Sequence, residues 1–477
     1  MLFPTIQYAI FFTAVLVASW LLAPRPVRWK LAMLAASYVF YAAWDGRFVL
    51  LLLGATVFNQ LMGVAIHRAP DDARRRRRVR LAVAGDLALL GWFKYYGFFV
   101  ASLQNLLAAA GLGSPFPLLE IVLPVGISFF TFQAISYIVD IGRGRIEPAK
   151  PIDFAVYLAF FPQLVAGPIV RAREFLPQLA TRAAQRIDVG RAFGLITAGL
   201  FKKVVVASYL ATTIVDEVFA NPAAHSAPEI LFATYGYAGQ IYADFSGYTD
   251  IAIGCALLLG FAFPDNFDRP YTARSITEFW RRWHMTLSRW LRDYLYIPLG
   301  GNRAGRARTY RNLMLTMLLG GLWHGAAWTF VAWGALHGGW LCLERWLAER
   351  RSGRVAASSE LAPVEPWWLE TRRWLITFHV VCLGWVFFRA ESFETATTML
   401  ERLVTGWGAA PLVTPPVVAV VAGIVAVQFL PSGVGAALQE RFSALSPGAQ
   451  GVVLAVALVV IDALGPPGIA PFIYFQF

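Results

Sequence analysis

Apolar stretches of bilayer-crossing length recur along the chain, and they constrain the fold class before any motif is considered. A spanning helix needs about 20 predominantly apolar residues. Candidate spans fall at roughly 4–23, 31–44, 47–66, 81–110, 119–141, 192–215, 229–262, 374–388, 412–430 and 451–470. The first 24 residues contain no Asp, Glu, Lys, Arg or His, and no Lys or Arg lies between Lys203 and Arg269. Charged residues make up 15% of the 477, and hydrophobic residues 58%. A soluble domain carries about 25% charged residues. So few charges cannot clothe a water-exposed surface, and an all-α polytopic membrane protein is expected, with residues 1–477 as one membrane-embedded domain. The segment Pro4–Ala23 lacks a basic leader and reads as a first span rather than a cleaved signal.

The 41 Lys and Arg exceed the 29 Asp and Glu, giving a net charge of +12. No nucleic acid is expected as a partner, because the excess clusters in short loops, as the positive-inside rule requires. The run Asp71–Arg80 reads as an anchor beside anionic lipid headgroups. Arg25, Arg28 and Lys30 put the first loop inside and the N-terminus outside the cytoplasmic (inner) membrane. Arg68–Arg80, Arg143–Lys150, Arg171–Arg191 and Arg345–Pro366 are then inside, and Ala220–Pro228 outside.

Segment 152–170 has basic flanks on both sides and cannot cross once; Pro162, Gly167 and Pro168 let it turn back as a re-entrant element. Segment 270–300 does not read as a simple span. The 32 residues Asn312–Leu343 carry no Asp, Glu, Lys or Arg. As one helix they would run ~48 Å against a hydrocarbon core of ~30 Å. Two short helices meeting in the membrane are expected, broken at Gly320–Gly325, which sets His324 at depth.

Ionisable and polar side chains in such segments are costly, so each is a candidate for function. His324 heads them, since an imidazole can accept and return a proton near neutral pH; the competing role is a hydrogen bond between helices. In Ile276–Asn302, Trp280, Trp283, Leu287, Trp290 and Tyr294 recur at helical steps, with Arg281, Arg282, Arg289 and Arg292 between them. A basic, Trp-rich helix of this kind rests at a membrane surface. Alternatively, its arginines meet a phosphate-bearing donor, with His284, one turn from Ser288, facing substrate. Asp244 and Asp250 lie in an apolar segment with Tyr242, Ser246 and Gly247. They either orient a histidine or join helices; six residues apart, they do not share a helix face.

His337 is read as structural, as are His67, His225 and His379. Cys255, Cys342 and Cys382 show no metal or redox spacing. No metal and no bound cofactor is expected. No nucleotide-binding loop and no Gly-x-Ser-x-Gly elbow is present.

These motifs resemble the membrane-bound O-acyltransferase family, in its bacterial alginate O-acetyltransferase branch. The resemblance is carried by LPVGISFFTFQAISYIVD (Leu123–Asp140), FPQLVAGPIVR (Phe161–Arg171), YADFSGYTDIAIG, FWRRWHMTLSRWLRDYLYIPLGGNR, GGLWHG, WVFFRAE (Trp385–Glu391) and the terminal FIYFQF. It implies about 11–13 membrane helices, some re-entrant or broken, around a central tunnel. It implies a catalytic histidine at His324 and a second motif histidine at His284. Asp244, Ser246, Trp280, Arg281, Arg282 and Trp323 are the accompanying substrate-binding candidates. It further implies acetyl-CoA, or an acyl carrier, as cytoplasmic donor and an extracellular or periplasmic polysaccharide such as alginate as acceptor. With no domain to hold a polysaccharide, a separate periplasmic acetyltransferase is the expected partner, alongside membrane lipids. Two other readings stand beside this one: D-alanyl transfer to teichoic acid, and a lipid-linked sugar flippase with His324 and Asp244 as a proton relay.

Overall fold

The computed structural model describes residues 1, 3–113, 117–165, 167–181, 187–303, 305–355, 366–431, 433–466 and 472–473, with backbone alone at 351–355. The described residues form helices and connecting loops without a strand. Among the described residues, three helices are long and apolar enough to cross a membrane: Arg47–His67, Val189–Ala220 and Pro447–Leu464. Shorter apolar helices include Ile6–Leu21, Ile127–Gly142 and Pro415–Val427. This is the expected all-α membrane protein.

The chain forms two compact units, one of residues Met1–Ala192 with Ile251–Pro264, the other of Phe193–Asp250 with Asp265–Phe477. In the first unit the helix starts follow local chemistry. Thr5 caps Ile6–Leu21 by accepting from the Tyr8 amide at 3.2 Å, Pro26 opens Pro26–Ala42, and Asp71 caps Asp72–Leu90 by accepting from the Arg74 amide at 2.7 Å. The arginine run is therefore the start of a helix rather than a loop. A π-helical stretch at Gly91–Tyr95 joins it to Tyr96–Ala109.

Segment 152–170 breaks as its prolines and glycine suggest. Pro151–Ala159 and Phe161–Leu164 are separate short helices. Gly167 closes so tightly that a Cβ there would stand 2.8 Å from the Gln163 Cα. Phe154, Tyr157, Phe160 and Phe161 are fully buried in this element, and Phe175 stacks on Phe261 at 4.7 Å. Ala166 lies outside the described residues, as do Arg182 and Arg186.

The second unit holds the candidate histidines. Its helix Ala227–Leu258, shared with the first unit, approaches Val189–Ala220 closely at Gly247, where a Cβ would be 2.7 Å from the Gly199 carbonyl oxygen. Val189–Ala220 passes through π-helical turns at Phe201–Ala207 and Ala211–Val215.

Two expectations need correction here. The apolar stretch 312–343 belongs to helices of 19 and 28 residues, Arg306–His324 and Trp328–Val355, rather than to two short ones. Each recruits charged residues at its outer end, and the second runs eleven residues into the loop expected at Arg345–Pro366, whose residues 356–365 lie outside those described. Gly320 and Gly321 sit inside the first helix instead of breaking it. A Cβ on Gly321 would be 2.2 Å from the Phe330 carbonyl oxygen, and one on Gly334 2.4 Å from that of Met317. These glycines let two helix backbones touch, and the chain reverses only at Gly325–Ala327.

Candidate active site

His324 is the last residue of Arg306–His324, because Gly325 leaves helical geometry for an extended conformation (φ −158°, ψ 150°). The glycine contacts above fix this hairpin end, so the imidazole meets side chains of the returning helix. Its ring centroid lies 5.0 Å from Trp323, 5.0 Å from Trp333 and 5.1 Å from Phe388, edge-on to each. His324 is 3% exposed. Tight glycine packing before a helix end thus produces a histidine enclosed by aromatic faces.

The basic Trp-rich segment is not one helix. It forms Ile276–Arg282 and Met285–Leu291, and between them His284 adopts a left-handed backbone (φ 41°, ψ 54°). A non-glycine residue pays for that conformation, and Asn266 supplies the compensation. The Met285 amide donates to the Asn266 carbonyl at 2.9 Å. The Thr286 amide and hydroxyl donate to Asn266 Oδ1 at 3.1 and 2.9 Å.

A backbone N–H can only donate, so the Asn266 atom facing it is the amide oxygen. His284 Nδ1, 3.1 Å from the same oxygen, must then carry the proton. The tautomer leaves Nε2 as an acceptor, and this atom makes no hydrogen bond to the described residues. Burial pushes the His284 imidazole down to about 3, so it stays neutral at physiological pH. His284 is wholly buried, 4.7 Å from the Phe245 ring and 5.9 Å from Trp323. It does not point away from the tryptophans, as a continuous helix would have had it.

The indole of Trp323 therefore touches both histidines. Trp280 joins the same cluster through Trp333, at 5.5 Å. His284, His324, Trp280 and Trp323 are thus brought together from two separate sequence motifs.

Asp244 and Ser246 take other partners. Lys203 Nζ lies 2.6 Å from Asp244, whose other oxygen accepts the Ile473 amide at 2.8 Å. Phe472, beside it, packs on Phe245 and Tyr248, so this part of the C-terminal motif seats on the Asp244 segment; residues 474–477 lie outside those described. Lys202 Nζ bridges Ser246 at 3.0 Å and Asp250 at 2.5 Å. From this segment it is Phe245, between those two anchors, that reaches His284.

Arg282 binds Glu278 at 2.8 Å and lines an open cavity of about 500 Å³ together with Arg269 and Arg274. Arg281 is exposed. Reading the sequence missed Asn266, Phe245, Lys202 and Lys203. The lysines had a signal, two cations inside an apolar segment that must find anions; Asn266 had none. Among the described residues no cluster of His, Cys, Asp or Glu could hold a metal ion.

Chemically, the arrangement offers two buried imidazoles against one indole, one of them locked with a bare Nε2, in surroundings that exclude water. Comparison with known proteins places the chain in a family. Residues 117–352 match the membrane-bound O-acyltransferase family. The chain is 46% identical over 378 residues to the probable alginate O-acetylase AlgI of Pseudomonas aeruginosa, covering 78% of this chain and 69% of that one. It is 43% identical over 408 residues to the protein of the same name from Azotobacter vinelandii, covering 84% and 78%. It is 39% identical over 411 residues to the peptidoglycan O-acetyltransferase of Helicobacter pylori, covering 80% and 75%. The chain belongs to the membrane-bound O-acyltransferase family, on its alginate O-acetylase-like branch, and is an acyltransferase.

Proposed function

We propose that the protein moves acetyl groups from a cytoplasmic thioester, acetyl-CoA or an acylated carrier, to a hydroxyl on an extracytoplasmic polysaccharide such as alginate, by way of a separate periplasmic transferase. The names of the relatives above support the acetyl group and the polysaccharide. The observation that carries the chemistry is the pair of buried imidazoles meeting at Trp323. His324 acts at the acyl carbon. It either takes the proton of the attacking hydroxyl as general base or carries the acetyl group briefly itself. In either route the C–S bond breaks, a C–O bond forms, and the hydroxyl proton ends on the departing thiol. His284, neutral with Nε2 bare, holds the hydroxyl proton or the thiol at hydrogen-bond distance.

Donor access is from the basic cytoplasmic side; the cavity there is lined by Arg269, Arg274 and Arg282 together with Glu278 and Glu370, which pair with Arg282 and Arg274, so a donor's phosphates would have to compete with these carboxylates. The whole chain acts as one membrane-embedded domain in the inner membrane, its N-terminus outside. The test is release of labelled acetyl from acetyl-CoA by the purified chain. Release above the buffer rate supports the reading, and none would leave the sugar-flippase alternative standing.

A further inference from the structure

The second unit holds a cavity of about 450 Å³ that the chemistry above does not use. One wall is the stretch 217–229, which leads into helix Ala227–Leu258; the other is 402–412, where helix Phe393–Thr405 ends. On the topology proposed above both walls lie outside: Ala220–Pro228 has no Lys or Arg, and helix Trp367–Arg389 leads outward from the loop at Arg345–Pro366. Hydrogen bonds tie the walls together. The Ala227 amide donates to the Gly406 carbonyl at 2.7 Å, and the Leu412 amide to Glu229 Oε1 at 3.2 Å. Arg402 donates through Nε and Nη2 to the His225 carbonyl at 3.0 and 2.8 Å.

Three lining groups are not consumed by these ties. Trp407 is 72% exposed. The Glu217 carboxylate and Arg402 Nη1 make no hydrogen bond or ion pair to the described residues. Glu229, by contrast, serves the fold: besides Leu412 it accepts from the Ser226 amide at 3.0 Å and the Ser226 hydroxyl at 3.2 Å. A volume of this size lies within the ~300–1,000 Å³ of ligand sites. An indole offers a flat apolar face, a carboxylate accepts hydrogen bonds and a guanidinium donates them. A sugar ring asks for that set, with its C–H face and hydroxyls that both donate and accept. An apolar ligand would leave Glu217 and Arg402 unused, and a small polyanion would meet two carboxylates for one guanidinium. A tryptophan that only anchors the chain at a headgroup layer has no need of a polar cavity beside it.

We propose that this cavity is a saccharide-binding subsite on the outer face, where one sugar ring of the acceptor polysaccharide stacks on Trp407 while its hydroxyls meet Glu217 and Arg402. The inference rests on the acetyl-transfer reading and its topology, and adds to them a direct contact between this chain and the polymer. Its use is local concentration: a polymer held by one ring keeps its neighbouring hydroxyls close to where acetyl groups emerge. Weak binding suits that use, because the polymer must move on after modification.

The experiment titrates the purified full-length chain in detergent with two probes, a hexasaccharide of β-1,4-linked glucose and one of β-1,4-linked mannuronate, by calorimetry. Folding is checked by a monodisperse elution profile. At least one probe should bind with a Kd of about 1 mM or tighter. Trp407→Ala should weaken that binding about tenfold or more, Trp407→Phe should stay within about threefold, and Glu217→Ala should lose about threefold or more. Trp407 and Glu217 are exposed, so these changes spare the ties made by Arg402 and Glu229. No saturable binding of either probe by about 10 mM overturns the subsite. So does binding that Trp407→Ala leaves within about twofold; if the same variant then fails to retain a periplasmic transferase, the cavity belongs to a protein partner instead. Acetyl release by the parent chain is measured on the same sample. Release without sugar binding refutes the subsite alone, and Trp407-dependent sugar binding without release refutes the acetyl-transfer reading and leaves the subsite supported.

Discussion

The Lys203–Asp244 pair should be one of the most sensitive points of the second unit. The two side chains are 1% and 3% exposed and 2.6 Å apart. Removing one partner leaves the other charge buried without compensation, which costs about 3–5 kcal/mol. Lys203→Met should therefore lower the melting temperature sharply, read by the loss of monodisperse protein on heating in detergent. The neighbouring pair, Lys202–Asp250, has side chains 24% and 22% exposed. It is less enclosed, and Lys202→Met should cost less than Lys203→Met. A second change sharpens the comparison. Lys203→Met with Asp244→Leu removes both charges and should recover part of the loss. It will not recover all of it, because the Ile473 amide loses its acceptor, worth about 1–3 kcal/mol when buried. Equal melting temperatures for Lys203→Met and Lys202→Met would refute the assignment of the burial difference as the deciding term.

Asn266→Leu should lower acetyl release by about ten- to a hundredfold in folded protein, since it frees the His284 tautomer and the left-handed turn; unchanged release would leave Asn266 without a role. Gly321→Val should abolish accumulation of folded protein, as its side chain would collide with the Phe330 carbonyl, whereas Gly194→Val, with no atom near its Cβ position, should accumulate normally. The double change Arg281→Ala with Arg282→Ala should raise KM for acetyl-CoA several-fold with kcat nearly constant, more so at low salt; an unaltered KM would leave the segment as a membrane anchor.

The expected membrane segments and the helices agree because span length is a property of apolar runs, which local sequence displays directly. Ile6–Leu21, Arg47–His67 and Pro447–Leu464 each lie at one of the apolar stretches read from sequence. Residues 276–302 show the opposite case. Trp280, Trp283, Leu287 and Trp290 keep helical spacing straight through the break at His284, and the turn is imposed by Asn266, 18 residues earlier. Nothing local announces it. Gly320 and Gly321 were ambiguous for a different reason: glycine serves both to end helices and to let them touch, and only the opposing Phe330 carbonyl decides between these. His324 and His284 stood out because imidazoles in apolar sequence need an explanation. Asp244 stood out equally, yet its explanation is Lys203, a residue the sequence reading left inside a simple span.

Acetyl release by purified His324→Ala, compared with the parent chain at equal folded protein, tests the central claim most directly. The imidazole packs edge-on among Trp323, Trp333 and Phe388, so its removal takes away the reacting group and leaves a gap among those rings, which is why equal amounts of folded protein are compared. The account predicts monodisperse protein with labelled acetyl release at the buffer rate. Release within about threefold of the parent by folded His324→Ala would contradict it.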